Sequence, residues 1–335
     1  MKTAPTIGFV LLGSISVIFP STCWGSDPPR RYTISTLSEL QDMNNDPAGI
    51  YQLANDIDAS DTVNWNSGEG FVPIGNLVAP FTGQFDGQFH AIHDLYINRP
   101  GAELQGLFGL VLSPTTNPLE RAVVKNVNLI DAEVTGGKAS GTLIGLAWRM
   151  DLITCGATGN FSVRPDDFSD AKSGGLVGNA QRGTHVRLCF SEVTVDGGRR
   201  SQVGGLIGYL RGVEAVTRLK NSYSRREVIG TGSKQGNLVG DADGSVVDRC
   251  YSSGSGKTLI GFNYRDPVIT RSYWDSDTGP ASSPYGGTPK TTAEMMTQST
   301  YVDWDFDSIW EMIETQTYPQ FQATIPVELM SFTID

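Results

Sequence analysis

Apolar and polar positions alternate in short runs along most of this chain, and glycine interrupts each run before it reaches helical length. The clearest case sets a leucine among glycines: QGLFG (Gln105 to Gly109), GTLIG (Gly141 to Gly145), GGLVG (Gly174 to Gly178), GGLIG (Gly204 to Gly208), GNLVG (Gly236 to Gly240) and KTLIG (Lys257 to Gly261). The closing glycines lie 36, 33, 30, 32 and 21 residues apart, a period that signals a solenoid or array.

A second column follows each copy: VKNVNL (Val124 to Leu129), LITCGA (Leu152 to Ala157), VRLCFS (Val186 to Ser191), LKNSYS (Leu219 to Ser224), VDRCYS (Val247 to Ser252) and ITRSYW (Ile269 to Trp274). Its first position is apolar throughout and its fourth is small or medium (Val127, Cys155, Cys189, Ser222, Cys250, Ser272). Its fifth becomes aromatic in the last four copies, at Phe190, Tyr223, Tyr251 and Tyr273.

Segments this short and this rich in β-branched residues predict strands joined by turns rather than paired helices. Stacked coils let each strand pair above and below and join the apolar columns into one core. The expectation is therefore all-β: a right-handed parallel β-helix of about 30-residue coils, the usual hand of such crossovers. Its structural positions are Gly106, Leu107, Gly109, Leu143, Gly145, Gly175, Leu176, Gly178, Gly205, Leu206, Gly208, Leu238, Gly240, Leu259 and Gly261. Alternation would point Leu176 inward and Val177 to the other face, with the glycines admitting positive φ at a corner.

These copies resemble GLUG repeats, named for Gly-Leu-any-Gly and found in secreted and surface bacterial proteins. Thr142, Asn237 and Thr258 depart from the leading glycine. Upstream, YQLANDIDAS (Tyr51 to Ser60), FVPIGN (Phe71 to Asn76) and PFTGQFDGQFHAIHDLYIN (Pro80 to Asn98) are similar to the opening coils of that family. Downstream, SYWDSDTG (Ser272 to Gly279), KTTAEM (Lys290 to Met295), WDFDSIW (Trp304 to Trp310) and YPQF (Tyr318 to Phe321) are similar to its closing segment. The last residues, IPVELMSFTID, resemble the lead into C-terminal modules of type IX secretion cargo, though they read equally as an edge strand.

Open solenoid ends need covering. Capping boxes at Thr36 with Glu39, and at Thr291 with Glu294, predict a short helical lid at each end. Lys2 and the apolar run Ile7 to Phe19 have the length of an export leader's core, too short to span a bilayer, with cleavage expected near Gly25. The chain divides into a leader (1–25), an N-terminal cap (26–50), repeats (51–285), a C-terminal cap (286–323) and a tail (324–335). With 25 Lys and Arg against 36 Asp and Glu, the net charge of −11 argues against nucleic acid. The expected setting is secreted or at a bacterial cell surface, as a monomer without a transmembrane span once the leader is removed.

Candidate chemistry is sparse. Cys155, Cys189 and Cys250 read as stacked, buried thiols, because parallel Cβ vectors in adjacent coils suit a disulfide poorly. His90 and His93, three apart, would point to opposite faces of a strand and cannot share a metal ion there. Asp275 and Asp277 have calcium-like spacing without the rest of a loop; calcium is the one cofactor the sequence suggests. Zinc-peptidase, serine-hydrolase and phosphate-loop motifs are absent. The preferred reading is a non-catalytic adhesion or binding protein whose exposed Tyr223, Tyr251 and Tyr273 meet an extracellular glycan or surface protein. The alternative is a carbohydrate-active β-helix enzyme, a lyase or hydrolase, using Asp58, Asp86, Asp241, Arg249 and Arg271.

Overall fold

The computed structural model describes residues 8–12, 15–19, 29–164, 170–199 and 202–323. Most of the expected leader, its expected cleavage point and the tail from 324 onward lie outside the described residues, as do 165–169 of the acidic run near Arg164.

The alternating runs form a parallel β-helix whose coils carry three faces. Face A is a ladder of short strands running Arg31–Ile34, Ile50–Leu53, Gln84–Asp86, Val123–Lys125, Asp151–Ile153, His185–Arg187, then 218–220, 246–248 and Val268–Thr270. Face B includes Asn128–Gly136, Gly156–Val163 and Phe190–Asp196, continuing through 223–224 and 251–252 to Tyr273–Asp275. Face C holds Phe108–Leu112, Ile144–Trp148, Val177–Gln181, Ile207–Arg211, Val239–Asp243 and Ile260–Tyr264. The six motif leucines, Leu107, Leu143, Leu176, Leu206, Leu238 and Leu259, are fully buried in one continuous core, as the columns predict.

Two expectations about the motif are corrected. Val177 shares the core with Leu176 instead of facing away, because Leu176 lies in the bend before the strand and two-residue alternation does not span that bend. Nor do the motif glycines turn left-handed corners; Gly106 alone among them has positive φ. Their role is close approach. The short strands Ser140–Gly141, Lys172–Gly174, Gln202–Gly204 and Lys234–Gly236 form a fourth ladder. Each rests on the closing glycine of the next coil. A Cβ on Gly178, Gly208, Gly240 or Gly261 would sit closer than 3.0 Å to the backbone of Ser140, Ser173, Val203 or Gln235 respectively.

Left-handed corners do occur, between faces A and B, and non-glycine residues make them: Asn126, Thr154, Leu188, Asn221, Arg249 and Arg271, with φ between 45° and 56°. Asn tolerates this conformation through its short polar side chain; for Thr154 and Leu188 it is strained and persists because the coils on either side fix it.

The ends are handled differently. The first strand, Arg31–Ile34, leads into helix α1 (Leu37–Asp42), whose capping box forms with Glu39 bonded to the Thr36 backbone and Thr36 to that of Glu39. Leu40 and Met43 are buried against the first coils. The last rung, Thr288–Lys290, carries Pro289, which cannot donate a ladder hydrogen bond to an added strand. Helix α2 (Thr292–Met295) has its own capping box at Thr291 and Glu294. The chain then does not close the end as a lid: residues 301–321 run back over the outside of face B.

Candidate functional site

Because alternation gives each face an outward row, the candidate residues sort by row. On face B the outward row is aromatic. Phe190, Tyr223, Tyr251 and Tyr273 are in register, with ring centroids 5.4 Å apart for Phe190 and Tyr223 and 5.1 Å for Tyr223 and Tyr251. The expectation that these tyrosines are exposed is corrected: Tyr223, Tyr251 and Tyr273 are only 5%, 0% and 8% exposed. Trp304, Trp310, Tyr318 and Phe321 from the C-terminal segment cover them. Arg225 locks the cover. Its guanidinium lies 4.5 Å from the Tyr223 ring centre, donates to the Tyr251 hydroxyl at 2.8 Å, pairs with Glu192 at 3.1 Å and donates to the Pro319 carbonyl at 2.9 Å. Burial pushes the Tyr223 hydroxyl up to about 12.

The carboxylates proposed for calcium hold the same cover. Asp275 Oδ2 accepts from Thr292 Oγ1 at 2.6 Å and from the Tyr318 hydroxyl at 2.5 Å, while its Oδ1 accepts from the Asp277 N–H at 2.9 Å. Asp277 Oδ2 accepts from the Thr292 N–H at 2.9 Å. Among the described residues no group of three or more His, Cys, Asp or Glu is placed to hold a metal ion. His90 Nδ1 lies 3.1 Å from Asp56, and His93 is in register with Asp58.

The five residues of the enzymatic alternative do not converge. Asp58 accepts from the Ser60 N–H near the N-terminal end. Asp86 is on face A, 3.1 Å from Lys125 and bonded by Asn126. Asp241 is buried on face C, 2.7 Å from Lys234, and burial pushes its carboxyl above the usual range against that cation's pull. Arg249 and Arg271, at the corner between faces A and B, both grip Asp248, at 2.7 and 2.8 Å. The three cysteines are free and buried. Burial raises each thiol, Cys189 to about 12, so none is a thiolate near neutral pH.

Face A is the charged side that residues 301–321 leave uncovered. At its N-terminal end a groove of 280 Å³ is lined by Arg31, Thr33, Gln52, Gln84, Asp86 and Lys125, among others. Farther along, the strands His185–Arg187 and 218–220 place His185 beside Arg218 and Arg187 beside Lys220. Asp151, fully buried, accepts from Arg121 Nε at 2.9 Å and lies 3.3 Å from His185 Nδ1. Sequence reasoning missed this group, although the signal was available. Aligning the second column by its first position puts Asp151, His185 and Arg218 one place before it, and Arg187 and Lys220 one place after.

No protein-family profile matches the chain. It is 30% identical to halomucin of Haloquadratum walsbyi over 345 aligned positions, covering 92% of this chain but 3% of halomucin. A candidate Gly-rich membrane protein of Evansella cellulosilytica is 34% identical over 119 positions, 35% of this chain and 12% of that protein. The crystal structure of a candidate immunoglobulin A1 protease from Bacteroides ovatus aligns with a TM-score of 0.51 at 18% identity, covering 89% of this chain and 93% of that one. Among the described residues no helix is long and apolar enough to cross a membrane. The solved neighbour supports the parallel β-helix fold, and the chain is similar along most of its length to a small part of a very long protein.

Proposed function

We propose that this chain is a non-catalytic extracellular or cell-surface module that binds a glycan or another surface component along one side of its stack. The observation that carries this reading is the contrast in how charged groups are used. The carboxylates of the enzymatic alternative are dispersed and, where buried, held by structural partners, while face A offers a long, rigid, charged side. Similarity of nearly the whole chain to 3% of halomucin fits a module within a much longer protein, and the GLUG resemblance of the motifs agrees with a surface setting. The open face replaces the buried tyrosines as the binding side.

The test is a glycan array with purified protein, together with retention of the labelled protein on producing cells. Selective binding in either supports the reading, and absence of both overturns it. Release of new reducing ends or unsaturated uronates from an array polysaccharide would replace it with the carbohydrate-active alternative.

A further inference from the structure

We propose that the cleft at the N-terminal cap, between residues 41–45 on one side and 65–66 and 72–79 on the other, is a binding site for a neutral sugar ring of a glycan, with Trp65 as its platform. The cleft lies outside the face-A strands, so the proposal goes beyond the face-A reading above and stands apart from it.

The cleft has a volume of 660 Å³, within the roughly 300–1,000 Å³ of small-molecule sites. Its walls are fastened from within. Gln41, in helix α1, donates its side-chain amide to the Val72 carbonyl and accepts from the Val72 N–H, both at 2.9 Å. Asn44 donates to the Pro73 carbonyl at 3.4 Å and accepts from the Gly75 N–H at 3.1 Å. Trp65 rests on the fully buried Phe71, with ring planes 21° apart and centroids 6.4 Å apart. The bend after it is held as well: Asn66 and Ser67 take positive φ, 53° and 58°, and Asn66 Nδ2 donates to the Gly70 carbonyl at 2.7 Å. Walls already ordered in the free protein lose little freedom when a ligand arrives.

What remains around Trp65 is chemistry suited to hydroxyl groups. Trp65 is only partly buried and lines the cleft, together with the exposed Asp42, Asn45, Asn66 and Asn76. Each of those four planar groups has one polar atom committed inside the chain. Asp42 Oδ1 accepts from Asn45 Nδ2 at 3.2 Å, Asn66 Nδ2 holds Gly70, and Asn76 Oδ1 accepts from the Val78 and Ala79 N–H groups at 2.8 and 3.0 Å. The partner atoms, Asp42 Oδ2, Asn45 Oδ1, Asn66 Oδ1 and Asn76 Nδ2, are in no hydrogen bond among the described residues, and they offer both acceptors and donors. The face of an indole ring carries negative charge that attracts the C–H groups of a sugar ring.

A charged ligand fits less well. Among the described residues no Lys, Arg or His lines the cleft, and the chain carries a net charge of −11, so a phosphate, sulfate or uronate meets no cation and a repelling field. A quaternary ammonium group is held best by a cage of several aromatic rings, and Trp65 is the one aromatic residue in this lining.

The experiment is calorimetric titration of the full chain with maltotetraose, cellotetraose, mannotetraose, N-acetylchitotetraose, tetragalacturonate and choline. The unaltered chain should bind at least one of the four neutral oligosaccharides, more tightly than tetragalacturonate or choline. Trp65→Ala should weaken that binding about tenfold or more, as loss of a tryptophan anchor does. Because Trp65 also packs on Phe71, Ala79→Arg is the second variant: it fills the cleft from an exposed rim position, and should weaken binding as much while leaving the thermal midpoint unchanged. Lys220→Gln, on face A, should bind as the unaltered chain does. Absence of binding to every neutral oligosaccharide, binding unaffected by Trp65→Ala and Ala79→Arg, an equal loss in Lys220→Gln, or tighter binding of tetragalacturonate or choline would overturn the proposal. Array glycans still bound by the Ala79→Arg chain, with no oligosaccharide seated in the cleft, sink the cleft and leave the face-A reading standing; an unaltered chain that binds nothing sinks both.

Discussion

Faces A and B are built by the same rule and end in opposite states. In both, a two-residue alternation points one row outward, and stacking at a fixed register sets like residues beside like in successive coils. On face B the ladder is aromatic, so stacking is favourable and its exposed area invites a cover. The segment 301–321 supplies one, and the ladder becomes a second core. On face A the central outward positions are charged or polar, with Arg187 opposite Lys220 and His185 opposite Arg218, and the segment 301–321 packs on face B instead. The same geometry thus yields a second core on one face and a charged, uncovered side on the other.

The sharpest way to break this contrast is Trp310→Ala. Trp310 is fully buried against Tyr223, Tyr251, Trp304 and Phe321, and its removal should cost about 3–5 kcal/mol in denaturant titration. A loss below about 1 kcal/mol would show that the cover is not part of the folded core.

Next is the motif itself. Gly208→Ala should destabilise by about 1–3 kcal/mol, because the new Cβ meets the Ser173 backbone rather than a yielding side chain. Were Gly208 only a flexible corner, alanine would be neutral or slightly stabilising, and the same titration separates the two.

On face A, Lys220→Gln, at an exposed position, should shift stability by no more than about 0.5 kcal/mol in the same titration. A large stability loss would make Lys220 part of a structural network like that of Arg225.

The smallest effect concerns the caps. Hydrogen bonds from the Ser35 and Thr36 backbones hold the Glu39 carboxyl below its ordinary range, and the Thr291 N–H does the same for Glu294. A carboxyl with a depressed folded-state pKa contributes stability above its unfolded pKa and loses it as pH falls through the folded one. Acidification from pH 6 to pH 3 should therefore lower the denaturation midpoint, and Glu39→Gln/Glu294→Gln should flatten that slope. An unchanged slope would show that the boxes do not contribute to the acid dependence.

Much of this was legible from the residues. The GGLVG spacing predicted the coil, the six leucines predicted the core, and Thr36 with Glu39 and Thr291 with Glu294 predicted the capped helices. Tyr223, Tyr251 and Tyr273 were legible as a column but read as exposed; their burial depended on Trp304, Trp310, Tyr318 and Phe321, which follow up to about a hundred residues later and carry no mark of where they dock. The outward group of His185, Arg187, Arg218 and Lys220 was half legible, since its columns stand beside the apolar one, but coils of unequal length hide which residues become neighbours.

Periodicity and local hydrogen bonding are properties of the chain taken a few residues at a time, so the sequence by itself determined the coil, its inward leucines and the helix starts. Which glycine meets a passing backbone, which residues take left-handed corners, which ladder is covered and which polar side chains stand opposite one another were decided only in the tertiary structure. Each of these depends on register between segments some thirty or more residues apart, fixed by packing of the whole stack rather than by any one stretch.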